Sequence, residues 1–180
     1  MSELTDIPSD SAGLRRAFAH FPSAVVAVCA ETAGAPAGLV VSTFVPVSLD
    51  PPLVSFCVQN SSSTWPKLLG AQHLGLSLLS ADQDGAAKNM SRREGDRFRD
   101  LELRRGADGA IFVDGAVAWL EGAVHTQVAA GDHQVVLVRI TRLATRSQDE
   151  PLVFHGSRFR RLHPGADPVP DGVAPSAEVA

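Results

Sequence analysis

The strongest constraint in this chain is Asp50-Pro51-Pro52, in the middle of the stretch GLVVSTFVPVSLDPPLVSFCVQNSSSTW from Gly38 to Trp65. Proline donates no backbone N–H, so no strand ladder can run through the pair. The flanking runs Gly38–Val47 and Leu53–Val58 are rich in Val and Phe, residues that suit a pleated, half-buried surface. They are expected to form two strands packed as a buried, hairpin-like unit. The stretch ends in Asn60 and four hydroxyl residues, Ser61, Ser62, Ser63 and Thr64, directly before Trp65. Hydroxyls gathered ahead of a helix can hold an anion. The unit therefore points to a phosphorylated ligand.

The rest of the chain is consistent with one domain built around that unit. Its 180 residues suffice for a sizeable core, and 44% hydrophobic with 20% charged residues is a globular composition. A net charge of −4 argues against nucleic acid as the main partner. Cys29 and Cys57 sit inside apolar runs without metal-type spacing, which fits buried thiols in a reducing compartment. The polar start MSELTDIPSDS and the absence of a run of about 20 apolar residues predict a cytoplasmic chain with no membrane span.

In chain order, residues 1–12 read as a flexible lead-in, with Ser11 capping a helix that reaches about His20. Ala24–Ala30 reads as a fully buried strand and Glu31–Pro36 as a turn. A helix over Trp65–Ala71, a strand over His73–Ser80 and a helix over Asp82–Ser91 follow, then a charged, irregular Arg92–Arg105. Strands are expected at Ala110–Val113, Ala116–Gln127, Gln134–Leu143, Pro151–His155 and Phe159–Leu162, with residues 163–180 a disordered tail. Many short strands with few helices predict a mainly β fold, an antiparallel barrel rather than a parallel sheet.

Few residues offer chemistry of their own. The hydroxyl run could hold a phosphate or be a polar loop. Lys88, late on a helix of small residues, could reach a phosphate as a point charge or lie on a solvated face. His133, at the Gly131-Asp132 turn, could bond a ligand or the local backbone, and His125 has a weaker case. No metal-binding histidine spacing and no G-x-S-x-G elbow occur. Glu94 and Asp96 read as a solvated face, and the net charge of about +2 over Arg92–Arg105 is too small for a nucleic-acid footprint.

Taken together and in order, several motifs resemble one family. These are Phe21-Pro22-Ser23; G-x-x-x-S-T-F-x-x-V-S-L-D-P-P-L-V from Gly38 to Val54; S-S-S-T-W from Ser61; D-R-F at Asp96–Phe98; G-A-V-A-W-L-E at Gly115–Glu121; G-D-H at Gly131–His133; and P-L-V-F-H-G-S-R-F at Pro151–Phe159. The chain resembles, over about residues 13–162, the flavin reductase-like family of FMN-binding split barrels. The resemblance implies a Greek-key split β-barrel that dimerises, with FMN (or FAD) at the subunit interface and NADH (or NADPH) as reductant. It also implies a partner monooxygenase that receives reduced flavin.

Carried over by the same resemblance, Val41, Ser42 and Thr43 would meet the isoalloxazine, and Ser48, Leu49 and Asp50 its polar edge and ribityl chain. Ser61, Ser63 and Thr64 would hold the phosphate with help from Lys88. His133 would sit at the nicotinamide side, as the residue nearest the chemistry, and Phe159 would approach from the C-terminal segment. Two other readings stay open: a split-barrel protein holding FMN as a fixed group without efficient turnover, and a small structural or interaction β-domain.

Overall fold

The computed structural model describes Leu4, residues 6–146 and residues 149–163. The tail expected over 163–180 thus falls, beyond His163, outside the described residues. Twelve strands and three short helices are present among them. In order they are α1 (Ser11–Phe18), β1 (Ser23–Ala24), β2 (Val26–Thr32), β3 (Ala35–Val41), β4 (Val45–Leu49), β5 (Pro52–Gln59) and α2 (Trp65–Leu68). There follow β6 (Leu74–Leu78), α3 (Asp84–Met90), β7 (Leu103–Arg105), β8 (Ile111–Val113), β9 (Ala118–Ala130), β10 (His133–Thr145), β11 (Val153–His155) and β12 (Arg158–Arg160). The fold is mainly β, as the strand signals imply.

Seven strands form one antiparallel sheet in the order β3-β2-β6-β9-β10-β5-β4. Its frame is the hairpin of β9 and β10, each 13 residues long. β6 pairs with the start of β9, through Leu74↔Gly122 to Leu78↔Ala118, while β5 pairs with the start of β10, through His133↔Gln59 to Arg139↔Leu53. The two flanking groups therefore grip opposite ends of the hairpin. Two register shifts in it, at His125 and Thr141, bend the long strands.

β2 explains why AVVAVCA carries no polar residue. Val26, Val28 and Ala30 face one core, with Phe56, Trp65, Leu68, Leu76 and Val136. Ala27 and Cys29 face a second, with Leu79, Met90, Ile111 and Leu152. A strand covered on both sides must be apolar at every position rather than at alternate ones. The second core is closed by α3 and by the small sheets β1-β11-β12 and β7-β8.

Several boundaries differ from those expected. Gly38–Val47 is not one strand: Ser42, Thr43 and Phe44 interrupt it, so β3 pairs with β2 and only β4 pairs with β5. The turn expected over Glu31–Pro36 shrinks to Ala33 and Gly34, both at positive φ, as a two-residue hairpin loop requires. The cap of α1 is Asp10, whose carboxylate accepts from the Gly13 N–H at 2.7 Å, and not Ser11. α1 thus starts inside the segment read as a flexible lead-in. The helix after Thr64 is a single turn, ending at Leu68.

Two expectations follow. A Cβ at position 122 would collide with the Arg139 carbonyl on the paired strand. Gly122→Ala should therefore lower stability by about 1–3 kcal/mol, the usual cost of overpacking, read from the urea unfolding midpoint. Complete burial pushes the Cys29 thiol up to about 12, so iodoacetamide at about pH 8 should label half-exposed Cys57 and spare Cys29 until the protein is unfolded. Equal labelling of both thiols in the native state would contradict this packing.

Candidate functional site

β3 and β4 are opposite edges of the seven-stranded sheet, yet only Ser42, Thr43 and Phe44 lie between them. Four Cα–Cα steps span at most about 14 Å, whereas six flat interstrand spacings would need about 29 Å. The sheet must curl until its edges approach. Thr43 ties the seam where pairing stops: its hydroxyl accepts the Cys57 N–H at 2.7 Å and lies 3.4 Å from the Cys57 carbonyl. That amide would otherwise lack a ladder partner beyond the end of β4.

A cavity of ≈ 630 Å³ opens at this seam. Its lining combines apolar residues, Leu39, Val40 and Val41 at the end of β3, Val58 on β5 and Met90, with polar ones, Ser42, Thr43, Ser61, Ser62, Ser63, Thr64, Arg93, Arg97 and His133. The lining includes two guanidinium groups and no carboxylate. Its size falls within the range that holds a drug-sized ligand. A molecule with an apolar planar part and an anionic end suits such a mixed lining, and a flavin phosphate is such a molecule.

The hydroxyl run divides its labour. Ser62 Oγ accepts the Trp65 N–H at 3.1 Å and so caps the turn that follows. Thr64 Oγ1 accepts from Arg97 Nη1 at 2.6 Å. Ser61 Oγ lies 3.5 Å from Gln59 Oε1, at the limit of a hydrogen bond. Ser63 has no hydrogen bond of its own side chain among the described residues, and its exposed hydroxyl stands at the cavity. A four-residue helix carries little macrodipole. The donors here are therefore hydroxyls and arginines, not the helix end expected from the sequence.

Of the residues named from the sequence, Val41, Ser42, Thr43, Ser61, Ser63, Thr64 and His133 come together in the cavity lining. His133 begins β10, with Nδ1 2.7 Å from the Asp132 carboxylate. That hydrogen bond holds the Asp132 carboxyl below the usual range. Ser48, Leu49, Asp50, Lys88 and Phe159 do not line the cavity of this single chain. Ser48 and Leu49 belong to edge strand β4, and Asp50 to the bend after it, with a cis peptide to Pro51. Lys88 donates to Asp84 Oδ2 at 2.6 Å, one helical turn back. Its ammonium lies 6.0 Å from the centre of the Phe159 ring, which packs edge-on against Phe154.

Arg93 and Arg97 were the residues hidden from sequence reasoning, inside a segment read as a solvated face. Arg97 is half-buried and donates to the Gly38 carbonyl at 3.3 Å as well as to Thr64. Gly38 makes this possible. A Cβ there would stand 2.6 Å from Cys29 Sγ and 2.9 Å from Phe98 Cζ, so only glycine lets the loop carrying Phe98 close on β3. The D-R-F motif was the available signal, with Phe98 as the anchor and Arg97 beside it.

Comparison with known proteins identifies the family. The model of the flavin reductase like domain matches residues 18–163. An NADH-dependent FAD reductase of Streptomyces globisporus is 37% identical over 173 residues, covering 92% of this chain and 93% of that protein. Among solved structures, the NADH:FAD oxidoreductase of Streptomyces globisporus in complex with NAD and FAD fragments superposes with a TM-score of 0.86 at 35% identity, over 92% of this chain and 100% of that one. BorF, the flavin reductase component of a bacterial two-component tryptophan halogenase, gives 0.79 at 32% identity, over 85% and 98%. By these matches, the chain belongs to the flavin reductase-like domain family.

Proposed function

We propose that this protein is an NAD(P)H-dependent flavin reductase that binds FMN or FAD in the seam cavity and passes reduced flavin to a partner monooxygenase. The observation that carries this reading is one cavity lined by apolar side chains together with a hydroxyl–arginine set, with no carboxylate in the lining. The chemistry supplied by a bound flavin is acceptance of a hydride, donated by the nicotinamide. The chain's task is placement. Thr43, bonded to Cys57, fixes the β3 end at the seam; Ser63, and Ser61 with only a 3.5 Å contact to Gln59, offer hydroxyls to a phosphate. His133, oriented by Asp132, stands at the cavity edge where the nicotinamide carboxamide would need a polar partner. Acceleration by orientation of two bound reactants needs no acid–base residue.

Support for a homodimer comes from β4. Val45 (53% exposed), Val47 (50%) and Leu49 (96%) leave an apolar row on an edge strand, and Val128 of β9 is also exposed. A second subunit covering this edge would bring Ser48, Leu49 and Asp50 into play at an interface. Among the described residues no helix is long and apolar enough to cross a membrane.

The decisive measurement is NADH absorbance in the presence of purified protein and FMN or FAD at catalytic ratios. Steady NADH loss is expected; flavin binding without NADH loss would leave only a fixed-flavin protein. His133→Ala should raise KM for NADH with flavin affinity nearly unchanged, and the reverse pattern would move His133 to the flavin. Ser61→Ala combined with Ser63→Ala should weaken FMN binding by about 1–3 kcal/mol through lost charge-assisted hydrogen bonds, measured by flavin fluorescence titration.

A further inference from the structure

We propose that the chain carries a second ligand site, remote from the seam, that takes a free α-amino acid with an apolar side chain. A cavity of ≈ 390 Å³ is lined by β7, β8, the start of β9 and the end of β10, and shares no lining residue with the seam cavity. About 30 Å of extended strand separates His133 from Arg142 along β10. The G-A-V-A-W-L-E motif, which the flavin reading leaves unused, supplies two of the lining residues, Trp119 and Glu121.

Glu121 is the reason to expect a ligand. The residue is only 4% exposed, so its carboxylate is held inside the protein. One oxygen, Oε1, lies 3.1 Å from His73 Nδ1. The other, Oε2, has no hydrogen bond among the described residues, and Arg142 Nη1 stands 3.9 Å from it. A buried carboxylate oxygen without a donor is costly, so it calls for one. It borders the cavity: a Cβ at Gly106 would come within 2.8 Å of Oε2 and 2.7 Å of the Phe112 ring edge, and all three residues belong to the lining.

The cations sort by what already holds them. Arg104 lies 2.7 Å from Asp114 and 4.6 Å from the centre of the Trp119 ring, and Arg105 is paired with Glu31. Arg142, opposite Glu121 in the β9–β10 register, is largely exposed and keeps only the 3.9 Å contact among the described residues. With partners counted, three guanidiniums meet three carboxylates and the charges cancel. A cationic ligand would face the arginines, and an anionic one would face Glu121. A zwitterion satisfies both, its ammonium donating to Oε2 and its carboxylate accepting from Arg142. Phe112, Trp119 and Leu143 offer apolar surface to its side chain.

The test is calorimetric titration of the full chain with L-phenylalanine, phenethylamine (no carboxylate), 3-phenylpropionate (no ammonium) and glycine (no side chain). Phenylalanine should bind at least about 10-fold more tightly than the other three, each of which lacks one of its contacts. Arg142→Gln, at an exposed side chain, should remove the advantage over phenethylamine. Gly106→Ala puts a methyl against Oε2 and Phe112, at a backbone conformation (φ −90°, ψ −165°) open to alanine, and should abolish binding. Arg142→Gln keeps the test decisive if that methyl disturbs folding. Added FMN should not compete. The proposal is overturned if phenylalanine fails to bind at millimolar concentration, if all four ligands bind equally, or if the amine binds more tightly than the amino acid. Competition by FMN, or an unchanged preference in Arg142→Gln, would overturn it as well.

Discussion

Three residues join the two edges of a seven-stranded sheet. Because Ser42, Thr43 and Phe44 must bridge from β3 to β4, the sheet cannot lie flat, and its curl is set by chain length before any side chain is considered. The curl leaves the β3 and β5 ends close but unpaired at the seam. Thr43 fills the one broken rung with a side-chain hydroxyl, at 2.7 Å from the Cys57 N–H. Backbone geometry thus creates the cavity, and the residues that line it exploit a gap that the topology already requires.

Two kinds of residue line that gap. Positions 39–41 end a strand whose neighbour, β2, is buried on both faces. A loop with little regular structure delivers two arginines. It is held by Phe98 packing into the second core and by the bare backbone of Gly38. Irregular loops set on a rigid scaffold are where binding residues concentrate. Here the scaffold contacts include Phe98 and Leu101 on the second core and Arg97 on Gly38 and Thr64.

The elements were largely legible, and their partners were not. β2, β5, β9 and β10 follow from apolar runs and β-branched content, and Asp50-Pro51-Pro52 marked the bend correctly. The break at Ser42–Phe44 was invisible, because Val, Ser, Thr and Phe all fit a strand. Only the closure of the sheet forces the chain to leave the ladder there. The same limit applies to charge. Arg92–Arg105 averages nearly neutral, so composition read it as solvated surface, while Arg97 takes its role from contacts to positions 38 and 64. Lys88 was the opposite case: a lysine at helical spacing from Asp84 satisfied that pairing locally, at 2.6 Å.

The seam also has a mechanical side. Its lining is drawn from the ends of β3 and β5, the hydroxyl turn, the start of β10 and the loop after α3. The end of β5 and the start of β10 are paired in the ladder, while Thr43 and Arg97 tie β3 and the loop after α3 to them across the gap. A molecule lodged there touches all of them at once, so its binding free energy adds to the folding free energy of the barrel. It acts as a brace across the joint. A protein of this design that hands its ligand to another gives up a strut along with a product.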